Sequence, residues 1–292
     1  MGIIQKVVAL EGNRQKLDGG AMFGHAPKAL WSRWCHVDAQ NRVELACRCL
    51  LIQTAELNIL CETGIGAFWE PKMAARYGVA SPQRHILVES LAAQGLQSED
   101  IDVIVLSHLH FDHAGGLLPT YAEIQAGGWH LQFPRAQVIV SAAAWERACH
   151  PVARDRASFI PELVTLLRES GRLHILNDLV QQPIPGVQVE WQITEGHTVG
   201  HLHSLWNFVG QKIFFAGDLV PGVAWLNPAL AMGYDRFAEQ LVEEKTHILS
   251  QLAREEVYLF YTHDPEVAFS QCAVSQGKFV ASDPRPGGLF AI

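Results

Sequence analysis

Short runs rich in β-branched residues recur along the chain and alternate with segments of helical periodicity. The runs predict strands at residues 50–53, 57–61, 103–106, 137–140, 187–193, 205–209, 213–215 and 257–261. The helical segments predict helices at residues 83–94, 142–149, 161–170 and 235–254. Because some strands come in tight pairs and others are separated by helices, the pattern indicates layered sheets covered by helices.

Residues 19–34 combine glycines and a proline with apolar side chains, those of Met22, Phe23, Trp31 and Trp34. This composition predicts a loop rather than a regular element. Such a loop must bury its apolar side chains, either by packing on the domain or by lining the mouth of a pocket. We expect packing, because most aromatic side chains serve burial.

The composition is that of a globular chain with a large core, since 49% of its 292 residues are hydrophobic and 18% are charged. No linker divides the sequence, so residues 1–292 are interpreted as a single domain. The net charge of -8 opposes phosphate backbones and anionic membranes. The expected partner is therefore a small-molecule substrate, not nucleic acid or a membrane. The oligomeric state stays open, with a homodimer as one alternative.

The sequence predicts a cytoplasmic protein. Its first residues do not form a charged segment followed by an apolar stretch, and no run reaches the roughly 18 apolar residues of a membrane span. The six cysteines are dilute for this length and include no CxxC pair. Reduced, mostly buried thiols are the expectation from this usage.

Candidate chemistry concentrates in residues 107–116, directly after the predicted strand at 103–106. The segment holds four potential metal ligands within six residues, namely His108, His110, Asp112 and His113. Extended residues i and i+4 lie about 13 Å apart, too far to share one ion or two adjacent ions, so the segment must curl after the strand. Gly115 and Gly116 supply the conformational freedom for such a turn. Clustered imidazoles without a cation would be unfavourable, so the motif predicts a metal site.

Three more segments place a candidate ligand just past a predicted strand, and these ligands are His197, Asp218 and His263. All the candidate donors are imidazoles and carboxylates, without a thiolate. This set predicts divalent ions, with Zn as the expected metal and Mn, Fe or Co as alternatives.

These motifs resemble those of the metallo-β-lactamase superfamily, whose signature is HxHxDH, then a His in a GHTxGH-like segment, then an Asp and a His. All seven positions are filled here, in the same order. The segment Glu62-Thr63-Gly64 is also similar to the early DTG segment of the family, with Glu in place of Asp. The resemblance implies an α/β fold, the four-layer αβ/βα sandwich known as the metallo-β-lactamase fold, with the site at the edge between two sheets.

The resemblance also implies a ligand set for two divalent metal ions. One ion would be held by His108, His110 and His197. The other would be held by Asp112, His113 and His263. Asp218 would bridge the two ions. His201 and His203 are then left over as supporting or core residues, and Asp264 is expected to orient His263, because ligand imidazoles need an acceptor on their second nitrogen.

Departures from individual branches of the superfamily narrow the expected activity. Asp218 stands where many true β-lactamases have Cys, and His110 stands where flavodiiron oxidases have Glu. The 29 residues after His263 are too few for the helical glutathione-binding domain of a glyoxalase II. The segments 17–24 and 63–66 resemble the branch of quorum-quenching lactonases and organophosphate hydrolases.

The expected function is a dinuclear metal-dependent hydrolase of the lactonase or esterase type. It would act on an ester or a lactone, such as an N-acyl homoserine lactone, by attack of a metal-bound hydroxide. Asp112 is the candidate to deliver a proton to the leaving alkoxide, and Tyr234 is the candidate to polarise the carbonyl. Side chains expected to form pocket walls are Met22, Phe23, Phe68, Phe111 and Trp225. Residues 127–160 are predicted to form a lid.

Several alternatives stay open at this point. A mononuclear iron oxygenase of the persulfide dioxygenase type would use His108, His197 and Asp218 only. A thioester or phosphotriester hydrolase would use the same dinuclear site on another substrate. A metal-binding module without catalysis is a third alternative.

Overall fold

The computed structural model describes residues 3–208, 210–287 and 289–291, and its strands form two mixed sheets. The strands of the first sheet are β1 (Lys6–Asp18), β2 (Arg42–Gln53), β3 (Asn58–Cys61), β4 (Val103–Val105), β5 (Gln137–Ser141), β6 (Leu173–Leu176) and β13 (Leu289–Ala291), in the order β13-β1-β2-β3-β4-β5-β6. The strands of the second sheet are β7 (Glu190–Thr194), β8 (His201–Phe208), β9 (Gln211–Phe215), β10 (Tyr258–Phe260), β11 (Phe269–Ser275) and β12 (Lys278–Arg285), in the order β12-β11-β10-β9-β8-β7.

The helices cover the outer faces of these sheets. They are α1 (Gly19–Phe23), α2 (Lys28–Trp31), α3 (Pro71–Arg76), α4 (Ile86–Ala92), α5 (Phe111–Ala114), α6 (Tyr121–Gly127), α7 (Ala142–Cys149), α8 (Pro161–Glu169) and α9 (Ala238–Arg254). Strands β3 to β6 run parallel to one another, as do β9 and β10, and the other neighbouring strands are antiparallel. The predicted arrangement of layered mixed sheets is confirmed.

Three hydrophobic clusters separate the layers. Alternate residues of β4 point to opposite faces of the first sheet, as the period of a strand requires. Val105 packs between the two sheets with Phe215, whereas Ile104 packs under the helices with Leu163. Leu249 of α9 packs on the outer face of the second sheet. The order helix, sheet, sheet, helix is the predicted four-layer αβ/βα sandwich.

The N-terminal forty residues differ most from the sequence prediction. They contain the long strand β1, which was not predicted, because a bulge between Glu11 and Arg14 and the positive φ of Asn13 interrupt its alternating pattern. The loop predicted at residues 19–34 instead carries the short helices α1 and α2. Its Trp31 is buried as expected, whereas Trp34 is 42% exposed.

Other elements also depart from the prediction. The last helix begins at Ala238 rather than at residue 235, because the side chain of Asp235 turns away to bind an imidazole. Strands β11 and β12 were missed, since their outer positions are polar or only partly buried. The predicted strand end at residue 209 lies outside the described residues, as do residues 1 and 2. Across the described ranges, every helix is too short or too polar to cross a bilayer.

Candidate metal centre

The HxHxDH segment begins where β4 ends and turns into a short helix. His108 and His110 precede the helix α5, and Asp112 and His113 lie within it. Helix α5 is the curl that the sequence requires after the strand. Gly116 lies so close to the chain of Thr63 that a Cβ atom would collide with the Thr63 carbonyl oxygen. The glycine is therefore required by a close backbone approach.

The second sheet brings the remaining candidate ligands to the same edge. Strands β7, β9 and β10 run in one direction, and their carboxyl ends lead into the loops that carry His197, Asp218 and His263 respectively. The carboxyl ends of such strands meet at one edge of a sheet. All seven predicted side chains therefore meet between the two sheets.

Their ligand atoms form two groups of three. One atom from each of His108, His110 and His197 lies within 4.8 Å of the other two, and the same holds for the triad Asp112, His113 and His263. We call these the first and the second triad. Nε2 of His108 lies 2.9 Å from Nδ1 of His110, and Nε2 of His113 lies 3.2 Å from Nε2 of His263.

The carboxylate of Asp218 lies between the two triads. Its Oδ2 is 3.3 Å from Nε2 of His197, in the first triad. Its Oδ1 is 3.3 Å from Nε2 of His113 and 3.1 Å from Nε2 of His263, in the second. Within the described part of the chain, Nε2 of His197 and Oδ1 of Asp218 are buried without a hydrogen-bond partner. Buried donor and acceptor atoms left in this state fit divalent cations in both triads.

The charges of the centre follow from burial and from close neighbours. Burial alone would raise the pKa of Asp218, but the imidazoles of His113, His263 and His197 outweigh it and hold that pKa well below its ordinary value. Burial and neighbouring imidazoles lower the pKa of His108 and His110 well below the ordinary value. These two rings are therefore neutral at pH 7, which is the form that binds a metal.

Hydrogen bonds from surrounding residues fix most of the ligand side chains. Asp235 accepts from Nδ1 of His197 at 2.8 Å, and Gln15 donates to Oδ2 of Asp112 at 2.6 Å. Both partners were missed by sequence reasoning. No sequence signal identifies them, because Gln15 precedes its partner by 97 positions and Asp235 belongs to no recognised motif.

The predicted role of Asp264 is wrong. Nδ1 of His263 bonds the backbone carbonyl of Ala46 at 2.6 Å. The carboxylate of Asp264 instead accepts from the backbone N–H groups of Val223 and Val267, so it orders two loops. A carbonyl on a neighbouring strand satisfies the second imidazole nitrogen equally well.

Two other buried histidines, His201 and His203, lie next to the candidate centre. His201 is fully buried, and its Nε2 accepts from the backbone N–H of Asp218 at 3.3 Å. His203 bonds the hydroxyl of Thr194 at 2.8 Å. Both positions fit the supporting or core role expected from the sequence. Glu62 is also buried, where it accepts from the N–H of Ser107 and lies 3.7 Å from His113.

A cavity of about 750 Å³ opens onto the two triads. Tyr234 lines it, as do Met22 and Phe111 among the predicted pocket walls. Phe23 and Trp225 line a neighbouring cavity, and Phe68 packs against Trp69 in the core. The lid prediction is wrong for residues 137–149, because they form β5 and α7. From the predicted stretch 127–160, Arg154, Asp155, Ala157 and Ser158 line the cavity.

Residues 42–263 match the family described as the Metallo-beta-lactamase superfamily. The chain belongs to this superfamily. The matched segment extends from β2 to the last predicted ligand, so it contains strands β2 to β10 and both triads.

Individual relatives in the superfamily include an N-acyl homoserine lactonase from a Bacillus species, 30% identical over 175 residues. The alignment covers 54% of this chain and 57% of that protein. The structure of a probable metal-dependent hydrolase from Staphylococcus aureus has a TM-score of 0.82 at 28% identity, covering 97% of this chain and 99% of that one. The dizinc quorum-quenching lactonase AidC shares the fold, with a TM-score of 0.75 at 21% identity over 99% of this chain and 97% of its own.

Proposed function

We propose that this chain is a metal-dependent hydrolase that opens lactones or cleaves carboxylic esters. In this proposal each triad would hold one divalent ion, and Asp218 would be a ligand shared by the two ions. The observation that carries the proposal is the position of the Asp218 carboxylate, which directs one oxygen toward each triad. The names of the lactonase relatives support a small-molecule lactone, such as an N-acyl homoserine lactone, as the substrate class.

The second triad favours this proposal over a mononuclear iron oxygenase. An enzyme that used only His108, His197 and Asp218 would have no need for three more ligand atoms converging beside Asp218. Here Asp112, His113 and His263 converge within 4.8 Å, as closely as the first triad does. The imidazole and carboxylate donors favour zinc, with Mn, Fe or Co as alternatives.

Divalent ions bound in this way supply a Lewis acid for the carbonyl and lower the pKa of water toward neutrality. We assign the proton transfer to Asp112. Its Oδ2 is held by the amide of Gln15 at 2.6 Å, and its side chain reaches the cavity. The carboxylate takes the proton of the attacking water and delivers it to the leaving alkoxide, so that the products are a carboxylic acid and an alcohol.

Tyr234 lines the cavity and provides a hydroxyl for the substrate carbonyl. Partial burial raises its pKa to about 12, and the carboxylate of Asp112 acts in the same direction. The hydroxyl therefore stays protonated at neutral pH. A protonated hydroxyl donates a hydrogen bond to the carbonyl oxygen as negative charge develops on it.

Tyr234→Phe is expected to lower kcat for a lactone by about 10- to 100-fold, because it removes one donor to the developing oxyanion. Steady-state kinetics with the metal-loaded protein measure this change. Tyr121→Phe is the matched control, since Tyr121 begins helix α6 on the outer layer. Equal kcat values for the wild-type protein and Tyr234→Phe would remove Tyr234 from the proposed mechanism.

The purified protein is expected to contain about two transition-metal ions per chain when it is prepared without chelator. Elemental analysis measures this content directly. A panel of lactones, aryl esters and phosphotriesters, assayed before and after chelation and again after metal is restored, then tests the hydrolytic activity and its substrate class. Protein without metal, or a single iron per chain with no hydrolysis, would contradict the proposal.

A further inference from the structure

Three consecutive residues serve the candidate centre in three different ways. Tyr234 lines the cavity, Asp235 binds His197, and Arg236 forms part of the cavity wall. The backbone N–H of Arg236 donates to the carbonyl oxygens of Gly196 at 3.0 Å and of His197 at 3.1 Å. These bonds fix the Arg236 backbone directly against the loop that carries a first-triad residue.

The guanidinium of Arg236 has an incomplete set of partners. Its side chain is 15% exposed, and its nearest carboxylate is Oδ2 of Asp155, 3.8 Å from Nε. Among the described residues, its Nε and Nη1 atoms are buried without a hydrogen bond. A buried guanidinium with open donors is unfavourable until an acceptor occupies them.

The charges around Arg236 do not balance. The same Oδ2 of Asp155 also accepts from Arg147 at 3.4 Å, so two guanidiniums share one carboxylate. Arg154 adds another positive charge to this wall, and it donates to the carbonyl of Gly233. The cluster of Arg147, Asp155 and Arg236 therefore carries one excess positive charge beside the cavity.

Other acidic residues on the cavity are engaged elsewhere. Asp18 accepts from Asn41 and from the N–H of Ala21. Asp112 is bonded by Gln15, and Asp218 lies among the imidazoles. Nε and Nη1 of Arg236 lie inside the wall, where Oδ1 of Asp155 is also without a hydrogen bond among the described residues. The exposed remainder of the guanidinium lines the cavity, so a molecule that enters the cavity meets this positive charge there. A carboxylate suits this wall, because it is an anionic acceptor that forms charge-assisted hydrogen bonds with a guanidinium.

We propose that Arg236 binds a carboxylate of the substrate, so that an ester or lactone carrying a negatively charged arm is preferred over an uncharged one such as an N-acyl homoserine lactone. The inference rests on the proposed function, because it names the substrate class of that same site. The cluster carries one excess positive charge and Arg154 adds another, so this wall favours an anionic arm. In a protein of net charge -8, this wall also attracts such an anion locally.

The test compares two aryl esters with acyl chains of equal length, mono-4-nitrophenyl glutarate, which carries a carboxylate, and neutral 4-nitrophenyl valerate. The measured quantity is the ratio of kcat/KM for the anionic ester to kcat/KM for the neutral ester. Arg236→Gln is expected to lower this ratio by about 10- to 100-fold, mainly through KM for the anionic ester. Arg236→Lys is expected to retain part of the ratio, because it keeps the charge and loses the paired N–H geometry.

Two further variants separate binding from structure. Arg135→Gln makes the same charge change at an exposed position and is expected to leave the ratio unchanged. Asp155→Asn removes the competing carboxylate and is expected to raise the ratio. If Asp155→Asn lowered the ratio as far as Arg236→Gln does, the two residues would form a structural pair and the proposal would be overturned. An unchanged ratio in Arg236→Gln would overturn it as well.

Calorimetry distinguishes failure of this inference from failure of the proposed function. Metal-loaded wild-type protein and Arg236→Gln are titrated with monomethyl glutarate and with dimethyl glutarate. The variant is expected to bind the monoanion about 10-fold more weakly, with no matching change for the neutral diester. This result supports the carboxylate site even if no ester or lactone is hydrolysed, in which case only the proposed function fails. Equal binding of the monoanion by both proteins overturns the carboxylate site.

Discussion

Asp218→Ala is expected to abolish lactone or ester hydrolysis, by at least about 10³-fold, while the chain remains folded. The carboxylate lies within 3.3 Å of imidazoles from both triads, so its loss removes a ligand from each proposed ion. The turn itself should persist, because His201 holds the backbone N–H of residue 218 rather than its side chain. The variant is therefore expected to lose bound metal together with activity.

Elemental analysis, circular dichroism and kinetics on the same preparation measure these effects. Asp178→Ala, at an exposed turn position after β6, is the control for removing a carboxylate. His110→Ala should behave like Asp218→Ala, since it takes one atom from the first triad. Wild-type turnover and full metal content in Asp218→Ala would refute the bridging role.

Asp235→Asn is expected to weaken metal binding in the first triad by about 10- to 100-fold. The wild-type carboxylate accepts from Nδ1 of His197 at 2.8 Å and from the N–H of Met232 at 2.6 Å. Asparagine has nearly the same shape but only one acceptor oxygen, so one of these bonds must be lost. The imidazole then loses the charged acceptor that fixes its tautomer and makes its Nε2 a strong ligand.

Competition with a chromophoric chelator measures the affinity for each ion in Asp235→Asn. The expected result is one weakened ion and one ion bound as in the wild-type protein, because the second triad has no contact with Asp235 among the hydrogen bonds described above. Asp178→Asn serves as the isosteric control. Equal weakening of both ions would indicate a general loss of structure, and no weakening would show that Asp235 does not support His197.

The seven candidate ligands could be predicted to meet because each follows an apolar strand. The strand supplies a strong local signal, and parallel strands bring their ends together whatever the intervening loops do. The partners of these ligands could not be predicted in the same way. Gln15, Asp235 and the carbonyl of Ala46 reach the centre through loop conformations and strand register, which leave no local pattern. The role of Asp264 was predicted wrongly because no local pattern shows that the carbonyl of Ala46 is the partner of His263.

The presence or absence of a local sequence pattern also explains which strands could be predicted and which were missed. Buried strands such as β4 and β10 are continuous apolar runs and are predicted at nearly their observed positions. Strand β1 was missed because Asn13 adopts a positive φ within a bulge. The bulge changes which residues of the strand face inward, so the alternation of polar and apolar residues is interrupted. The cluster of Arg147, Asp155 and Arg236 was missed because its members come from separate segments and carry no shared motif.

Each triad takes its members from both halves of the sandwich. The first combines two residues after β4 with His197 of the other sheet, and the second combines two residues of α5 with His263. A cation bound by either set would thus act as a crosslink between the sheets, and its binding energy would add to the free energy of unfolding. Resistance of the whole chain to heat and to proteases should consequently follow the supply of metal during growth and purification.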